Sequence, residues 1–397
     1  MLRKLSLVFL LCMLLFVTGC WNRRELNDLA ITLGMGIDKQ GQKYKVTVQV
    51  VVPGEIAAQK SRGVSPVTVF SAVGDTVFEA VRKMTTVSPR KVYIAHLRIV
   101  VLGEALAREG IGKSLDFLTR DTEARTDFYV AVAKGTTAED VLKVLTTLEA
   151  IPANKLFNSL ETSSKQWAPT ASVTLDTLIS DMTSEGKHPV LTGIVVKGNP
   201  QDGAARKNVE VSNSPARHQY ATLGVFKKDK LIGWLDVNES KGYNYILDKV
   251  SSTAGVIPCS KGGKLAVETI RSKTKIKGSM KRGKPHIDID IRGEVNVDDV
   301  ECHIDLTKTK TIAELEKAGE QRVKQLVEDV IDTVQKKYKV DIFGFGDAIR
   351  RSNPKAWKKL KKDWDRQFQQ LDVNVKVDTK IRQIGAVGNS FLEKIKE

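Results

Sequence analysis

Cysteine is scarce: there are four in 397 residues, and Cys12 and Cys20 both fall in the first twenty. That excludes a dense disulfide scaffold. Histidine is almost as rare. Of His96, His188, His218, His286 and His303, only His303 lies near a cysteine or another histidine, beside Cys302. Neighbours on a strand face opposite ways, so that pair makes a poor joint metal site. No apolar run beyond residue 19 approaches the ~20 residues that a membrane span needs. Nucleotide loops are lacking too. Gly110-Ile111-Gly112-Lys113-Ser114 has Ala107 where a phosphate loop needs its first glycine. Gly344-Phe345-Gly346 has Ile349 where a dinucleotide loop needs its third, so these glycines read as tight turns between two helices. Ser88-Pro89-Arg90-Lys91 fits a Ser-x-x-Lys motif, but its SDN and KTG companions are missing. Asp288 and Asp290 share a strand face without a third ligand and read as solvent-facing charge. With no nucleophile beside a base, the chain reads as a non-enzyme, without catalytic residue, metal or cofactor.

What is present is an ordinary globular composition, 41% hydrophobic and 28% charged, with length enough for two or three domains. The formal net charge is +16. Loss of residues 1–19 would remove Arg3 and Lys4 and no acids, leaving +14. Such a balance favours anionic surfaces: lipid headgroups, acidic wall polymers or nucleic acid. Export sets nucleic acid aside.

The organising stretch is Val17-Thr18-Gly19-Cys20-Trp21. Arg3 and Lys4 precede an uncharged apolar run from Leu5 to Val17, which is the layout of a secretory signal. Val17-Thr18-Gly19-Cys20 resembles a bacterial lipobox, in which the cysteine thiol takes a diacylglyceryl group and becomes the first mature residue. The alternative is a plain signal peptide ending beside a cysteine. Charge begins at once with Arg23, Arg24 and Glu25, which favours the lipobox. Cys20 is therefore the expected lipid-attachment residue, and the body is expected on the outer face of a cell membrane. Cys259 and Cys302 are expected as two separately buried thiols, with a bridge as the lesser alternative.

Along the chain, Leu29–Ile37 and Tyr44–Val50 alternate as two strands of a hairpin, turning at Asp38–Gln42. Residues 54–66 read as a loop. Asp75 is placed to cap a helix ending before Pro89, and a second helix is expected around 104–118. Strands are expected at 92–94, 97–102, 128–132 and 189–196. Thr136 and Glu139 suggest a capping box, and helices are expected at 154–160 and 175–182. The polar, Gly- and Pro-containing stretch 198–217 reads as a linker or long loop. Beyond it come a hairpin (220–226 and 231–235), a helix at 242–247 and two long strands, 265–276 and 287–297. His286, Asp288, Asp290 and Arg292 are placed on the wet face of the second of these. A helix of roughly seven turns follows Thr311. Another begins at Pro354 with Trp357, Leu360, Trp364 and Phe368 on one face, and a strand from Leu371 closes the pattern. The aromatic face is expected to be core, with lysines Lys358, Lys359 and Lys362 free on the other side.

The fold class is therefore α+β and multidomain, with mixed or antiparallel sheets packed with helices and a long helix across the C-terminal sheet. The expected divisions are a lipoprotein signal at 1–19, an N-terminal region at 20–197 with a possible internal break near 135, the linker at 198–217, and a C-terminal domain at 218–397.

Two sets of residues carry a resemblance. The first is Cys20-Trp21-Asn22-Arg23-Arg24-Glu25-Leu26-Asn27-Asp28-Leu29 followed by Gly34-Met35-Gly36-Ile37-Asp38. The second is Asp341-Ile342-Phe343-Gly344-Phe345-Gly346-Asp347 with Pro354-Lys355-Ala356-Trp357 and Asp363-Trp364. Leu231-Ile232-Gly233-Trp234 and Lys241-Gly242-Tyr243-Asn244 fit between them. Together they resemble the Ger(x)C family, lipoprotein C subunits of nutrient germinant receptors in endospore-forming bacteria, over nearly the whole chain. The resemblance implies A and B subunits as partners, a spore inner-membrane location through acylated Cys20, and a part in receptor assembly and the germination response. Lys358, Lys359 and Lys362 are candidates for contact with anionic lipid. The rivals are a free-standing lipoprotein binding a solute or anionic wall component, and a tethered hydrolase.

Overall fold

A computed structural model describes residues 25–56, 64–259 and 262–385. The expected signal at 1–19, the lipobox-like stretch and Cys20 lie outside the described residues. Strands β1 (Leu29–Gln40), β2 (Lys43–Val51) and β3 (Val67–Gly74) form an antiparallel meander. Helix α1 (Val77–Lys83) follows. Its cap is Thr76, one residue beyond the expected Asp75; the Thr76 hydroxyl accepts the Glu79 N–H. Short β4 (Lys91–Tyr93) pairs in parallel with the start of β1. Strand β5 (Ile99–Gly103), helices α2 (Glu104–Glu109) and α3 (Gly112–Arg120), and strand β6 (Tyr129–Ala133) continue the chain. The single helix expected at 104–118 is two, because Gly110 adopts φ 138° between them.

Helices α4 (Ala138–Lys143), α5 (Pro152–Gln166) and α6 (Leu175–Thr183) lead to β7 (Val190–Gly198). Residues 199–215 carry two one-turn helices and join β7 to its antiparallel neighbour β8 (Ala216–Lys227), which turns into β9 (Lys230–Trp234). The sheet order is β3-β2-β1-β5-β6-β7-β8-β9, with β4 beside β1. Its centre, β1-β5-β6-β7, is parallel. Parallel strands need cover on both faces, and β5 is buried throughout. Alternation divides the work. Ile99 and Val101 join Ala131, Leu142 and Leu156 on one side. Val100 and Leu102 join a larger core on the other side, which runs on into the second sheet.

That second sheet has the order β10-β11-β12-β13: β10 (Thr253–Pro258), β11 (Lys264–Lys281), β12 (Lys284–Val300) and β13 (Asp372–Gln383). Arg282 (φ 50°) and Gly283 (φ 78°) make the two-residue turn between β11 and β12; positive φ at both positions suits the strand twist. Helix α7 (Val237–Ile246) precedes β10, and α8 (Thr309–Thr333) packs along the sheet. The close approach of α7 to α8 rests on Gly242, where an added Cβ would lie 2.2 Å from the Leu326 carbonyl oxygen. The long C-terminal helix is thus present. It begins at Thr309, before the expected Thr311, and has no side-chain cap.

Two expectations are corrected here. Ile287, Ile289 and Ile291 are core, as their alternation requires, but His286 is not on a wet face. It is buried because the parallel neighbour β13 covers it: its Nδ1 lies 2.7 Å from Asp372 Oδ2 and its Nε2 lies 3.1 Å from Asp288 Oδ1. Cys259 and Cys302 are not separate thiols; they are joined as a disulfide with Cα atoms 6.5 Å apart. The long β11–β12 hairpin brings its two ends together, pairing Leu265 with Val300, so cysteines just beyond both ends meet. The bridge sits in a small satellite core with Leu265, Val297 and Leu306.

The bridge closes a loop with a sequence separation of 43. Removing such a constraint typically costs ~2–4 kcal/mol. Replacing both cysteines with serine is expected to lower the free energy of unfolding by that amount, read as a fall in the denaturant midpoint at unchanged slope. An unchanged midpoint, in the double variant and in reduced wild type alike, would mean that the bridge adds nothing.

Candidate functional site

The densest group of signature residues lies where α8 ends. One turn of wide helix, Val334–Tyr338, is closed by Lys339 at φ 60°, and the chain enters Asp341-Ile342-Phe343-Gly344-Phe345-Gly346. Asp341 is wholly buried. Its Oδ1 accepts the N–H groups of Phe343 and Gly344, each at 2.9 Å. Its Oδ2 accepts the Gly346 N–H at 2.8 Å and the Trp364 indole N–H at 3.0 Å. The loop can close on its own aspartate because Gly344 takes φ 78°, a conformation that costs glycine nothing. At Gly346 the reason is space: a Cβ would lie 2.7 Å from Trp364 Nε1 and 2.8 Å from the Trp357 ring. Burial pushes the Asp341 carboxyl up to about 6, against the pull of its four donors. At neutral pH it is a carboxylate.

Helices α9 (Phe345–Ser352), α10 (Pro354–Leu360) and α11 (Trp364–Gln369) follow. The single helix expected from Pro354 is broken by a 3₁₀ turn at Lys361–Asp363. Even so, Trp357, Trp364 and Phe368 are all buried, and the two indoles meet edge-on at 5.2 Å. The aromatic stripe is core.

This C-terminal group is latched to the large sheet. The His188 N–H donates to the Asp341 carbonyl at 2.7 Å. The His188 ring accepts the Lys228 N–H at Nδ1 (3.0 Å), which leaves Nε2 to donate to Asp365 at 3.2 Å. Lys227 lies 3.3 Å from the other Asp365 oxygen, and Lys361 lies 2.9 Å from Glu185. Lys358, Lys359 and Lys362 point away from all this. They are exposed, and no ion pair engages them among the described residues. Exposed Lys355 and Arg366 extend the same basic surface.

The N-terminal signature residue Asp38 works in the same way. It is buried, and its two oxygens accept the Ala138 and Glu139 N–H groups at 2.9 and 3.0 Å, the first free donors of α4. Asn244, in α7, donates to the carbonyls of Ala168 (2.6 Å) and Thr170 (3.0 Å). These residues hold elements together and leave no reactive group free. The would-be phosphate loop is closed off as well: the Gly112 N–H donates to the Asp229 carboxylate at 3.3 Å. Among the described residues there is no cluster of three or more potential metal ligands, and no helix is long and apolar enough to cross a membrane. Sequence reasoning missed Asp38, His188 and Asp341 as latches. The available signal was an acidic residue inside a glycine-rich apolar stretch, where a carboxylate survives only if backbone donors surround it.

Comparison with known proteins bears on both halves. A family described as spore germination B3/GerAC-like, C-terminal, matches residues 221–385, and a spore germination protein N-terminal domain matches residues 22–196. Spore germination protein KC of Bacillus subtilis (strain 168) is 32% identical over the full length of both chains. Spore germination protein B3 of the same organism is 29% identical, covering 97% of this chain and 98% of that one. The crystal structure of the GerBC protein shares the fold, with a TM-score of 0.57 at 22% identity over 88% of this chain and 96% of that chain.

Proposed function

Because the chain belongs to the spore germination B3/GerAC-like family, we propose that it is the lipid-anchored C subunit of a nutrient germinant receptor, held on the outer face of the spore inner membrane. Its work is assembly, without chemistry: it supports the A and B subunits in the germination response. The observation that carries this reading is the collinear likeness, end to end, to spore germination proteins. The anchor on this reading is Cys20, and its acyl chains are the membrane contact. Spores lacking the chain should form normally yet fail to respond to at least one nutrient. A full response to every nutrient tested would overturn the reading.

The basic surface then faces a membrane or an acidic partner. Leu29 at the start of β1 lies nine chain steps after Cys20. Fully extended, they span at most about 30 Å, so the body stays close to the lipid. Replacing Lys358, Lys359 and Lys362 together with glutamine should leave stability within ~0.5 kcal/mol, since all three are exposed. Near a membrane each lysine is worth ~1 kcal/mol, so binding to anionic vesicles should weaken by up to about 100-fold. Flotation with vesicles at low and high salt measures this. Equal flotation of variant and wild type would exclude these lysines from lipid contact.

A further inference from the structure

Between α7, α8 and the small sheet lies a cavity of about 270 Å³ that the latches do not use. Its walls come from every strand of that sheet, with Val267, Val295, Leu315 and Leu326 supplying apolar surface. Its mouth is ringed by large side chains left in solvent: Trp167 (47% exposed), Val237 (45%) and Val256 (55%). Two cations reach it. Lys241 is 8% exposed; its Nζ donates to the Ala254 carbonyl at 3.0 Å and lies 3.8 Å from the centre of the Trp167 ring. Arg322 is exposed at the rim, with Nη2 3.4 Å from Asn238 Oδ1. Among the described residues neither forms an ion pair, and no aspartate or glutamate lines the cavity. An ammonium carries three donors, and one carbonyl satisfies one of them.

We propose that this cavity binds a small monocarboxylate with an apolar body, its carboxylate held by Lys241 and Arg322 and its body against the Val267, Val295 and Leu326 surface. The physical reason is complementarity. A buried cation without a counter-charge is costly, and an incoming carboxylate supplies both the charge and the missing acceptors. Burial, reinforced by Arg322, pushes the Lys241 amine down to about 8, so it remains mostly charged at neutral pH. The apolar wall selects the body. A cavity of roughly 150 Å³ takes benzene, so this one has room for a ring with a short chain. A ligand that also carries an ammonium finds no acid to receive it.

Three probes of one skeleton test this on the purified full chain by calorimetry: 3-phenylpropanoate, the neutral 3-phenylpropanamide, and phenylalanine, which adds the ammonium. The expected order is 3-phenylpropanoate tightest, with Kd of about 1 mM or below, and the other two at least about tenfold weaker. Lys241→Met should reduce binding of the carboxylate to the level of the amide. Exposed Arg322→Gln, which leaves the buried wall intact, should weaken it about severalfold and serves if the lysine variant does not fold. Equal binding of acid and amide would overturn the proposal in favour of a purely apolar docking groove. Equal binding of phenylalanine, unchanged affinity in Arg322→Gln, or no binding of 3-phenylpropanoate at about 10 mM would each overturn it too. The proposal stands apart from receptor membership, since none of these outcomes depends on partner subunits.

Discussion

Asp341→Ala is expected to destabilise the protein by about 4 kcal/mol or more, the largest effect of any single substitution considered. The carboxylate satisfies the N–H groups of Phe343, Gly344, Gly346 and the Trp364 indole, all in the core. Alanine leaves four buried donors without an acceptor, and each costs ~1–3 kcal/mol. The same change frees Trp364, whose ring packs on Trp357. Trp364→Ala alone should cost ~3–5 kcal/mol. The two share one network, so the double variant should lose clearly less than the sum. The effect of Asp341 also has a pH dependence. Its folded value is raised from 3.8 to about 6, so the proton-linked part of its contribution is fully present below 3.8 and is lost as pH rises through about 6, while the hydrogen bonds to its four donors remain. The gap between wild type and Asp341→Ala should therefore widen as pH falls from 7 towards 4. Denaturant unfolding reads all of this. A loss below ~1 kcal/mol for Asp341→Ala would mean that the loop is not held by its aspartate.

Cys20→Ala is expected to abolish lipid anchoring. One acyl chain gives marginal, reversible binding, whereas two hold stably, at ~0.8 kcal/mol for each buried CH₂. Among the described residues no helix is apolar enough to replace the anchor. A contact through exposed Lys358, Lys359 and Lys362, as proposed above, would be salt-sensitive, screened beyond about 10 Å at ordinary ionic strength. The variant should lose its acyl label and leave the membrane fraction in salt, or persist as an unprocessed precursor. Full acyl labelling of the variant would show that another residue carries the lipid. If the label is lost while the processed protein, freed of residues 1–19, stays in the membrane at high salt, then protein partners rather than lipid retain it.

Periodicity made much of this fold legible. The alternation of Leu29–Ile37 with Tyr44–Val50 is the β1–β2 hairpin, and Ile287, Ile289 and Ile291 face the core as they must. The stripe of Trp357, Trp364 and Phe368 is buried as its spacing implies. What escapes local reading depends on distant partners. Strand β3 carries Ser71 and Ala72 among its valines, and its place at the sheet edge comes from pairing with β2. His286 looks wet on its own strand and is dry because β13 lies alongside. The disulfide was accessible in principle, since Cys259 and Cys302 lie at similar distances from the turn at Arg282-Gly283, but only after the hairpin register is known. The signature residues are legible as a resemblance and not as chemistry. Asp38, Asn244 and Asp341 serve as internal acceptors and donors, and such roles appear only when the elements they join are in place. Lys241 belongs with them in sequence and differs in leaving donors unused.

The most direct test of the account as a whole is capture of the full-length chain, tagged at its C-terminus, from detergent-solubilised spore membranes, followed by mass spectrometry. The account predicts that an A subunit with large soluble regions and a transporter-like B subunit come down with it, and that its own N-terminal peptide begins at diacylated Cys20. Recovery of the chain from the membrane alone, free of both subunits under conditions that keep other receptors intact, would contradict it.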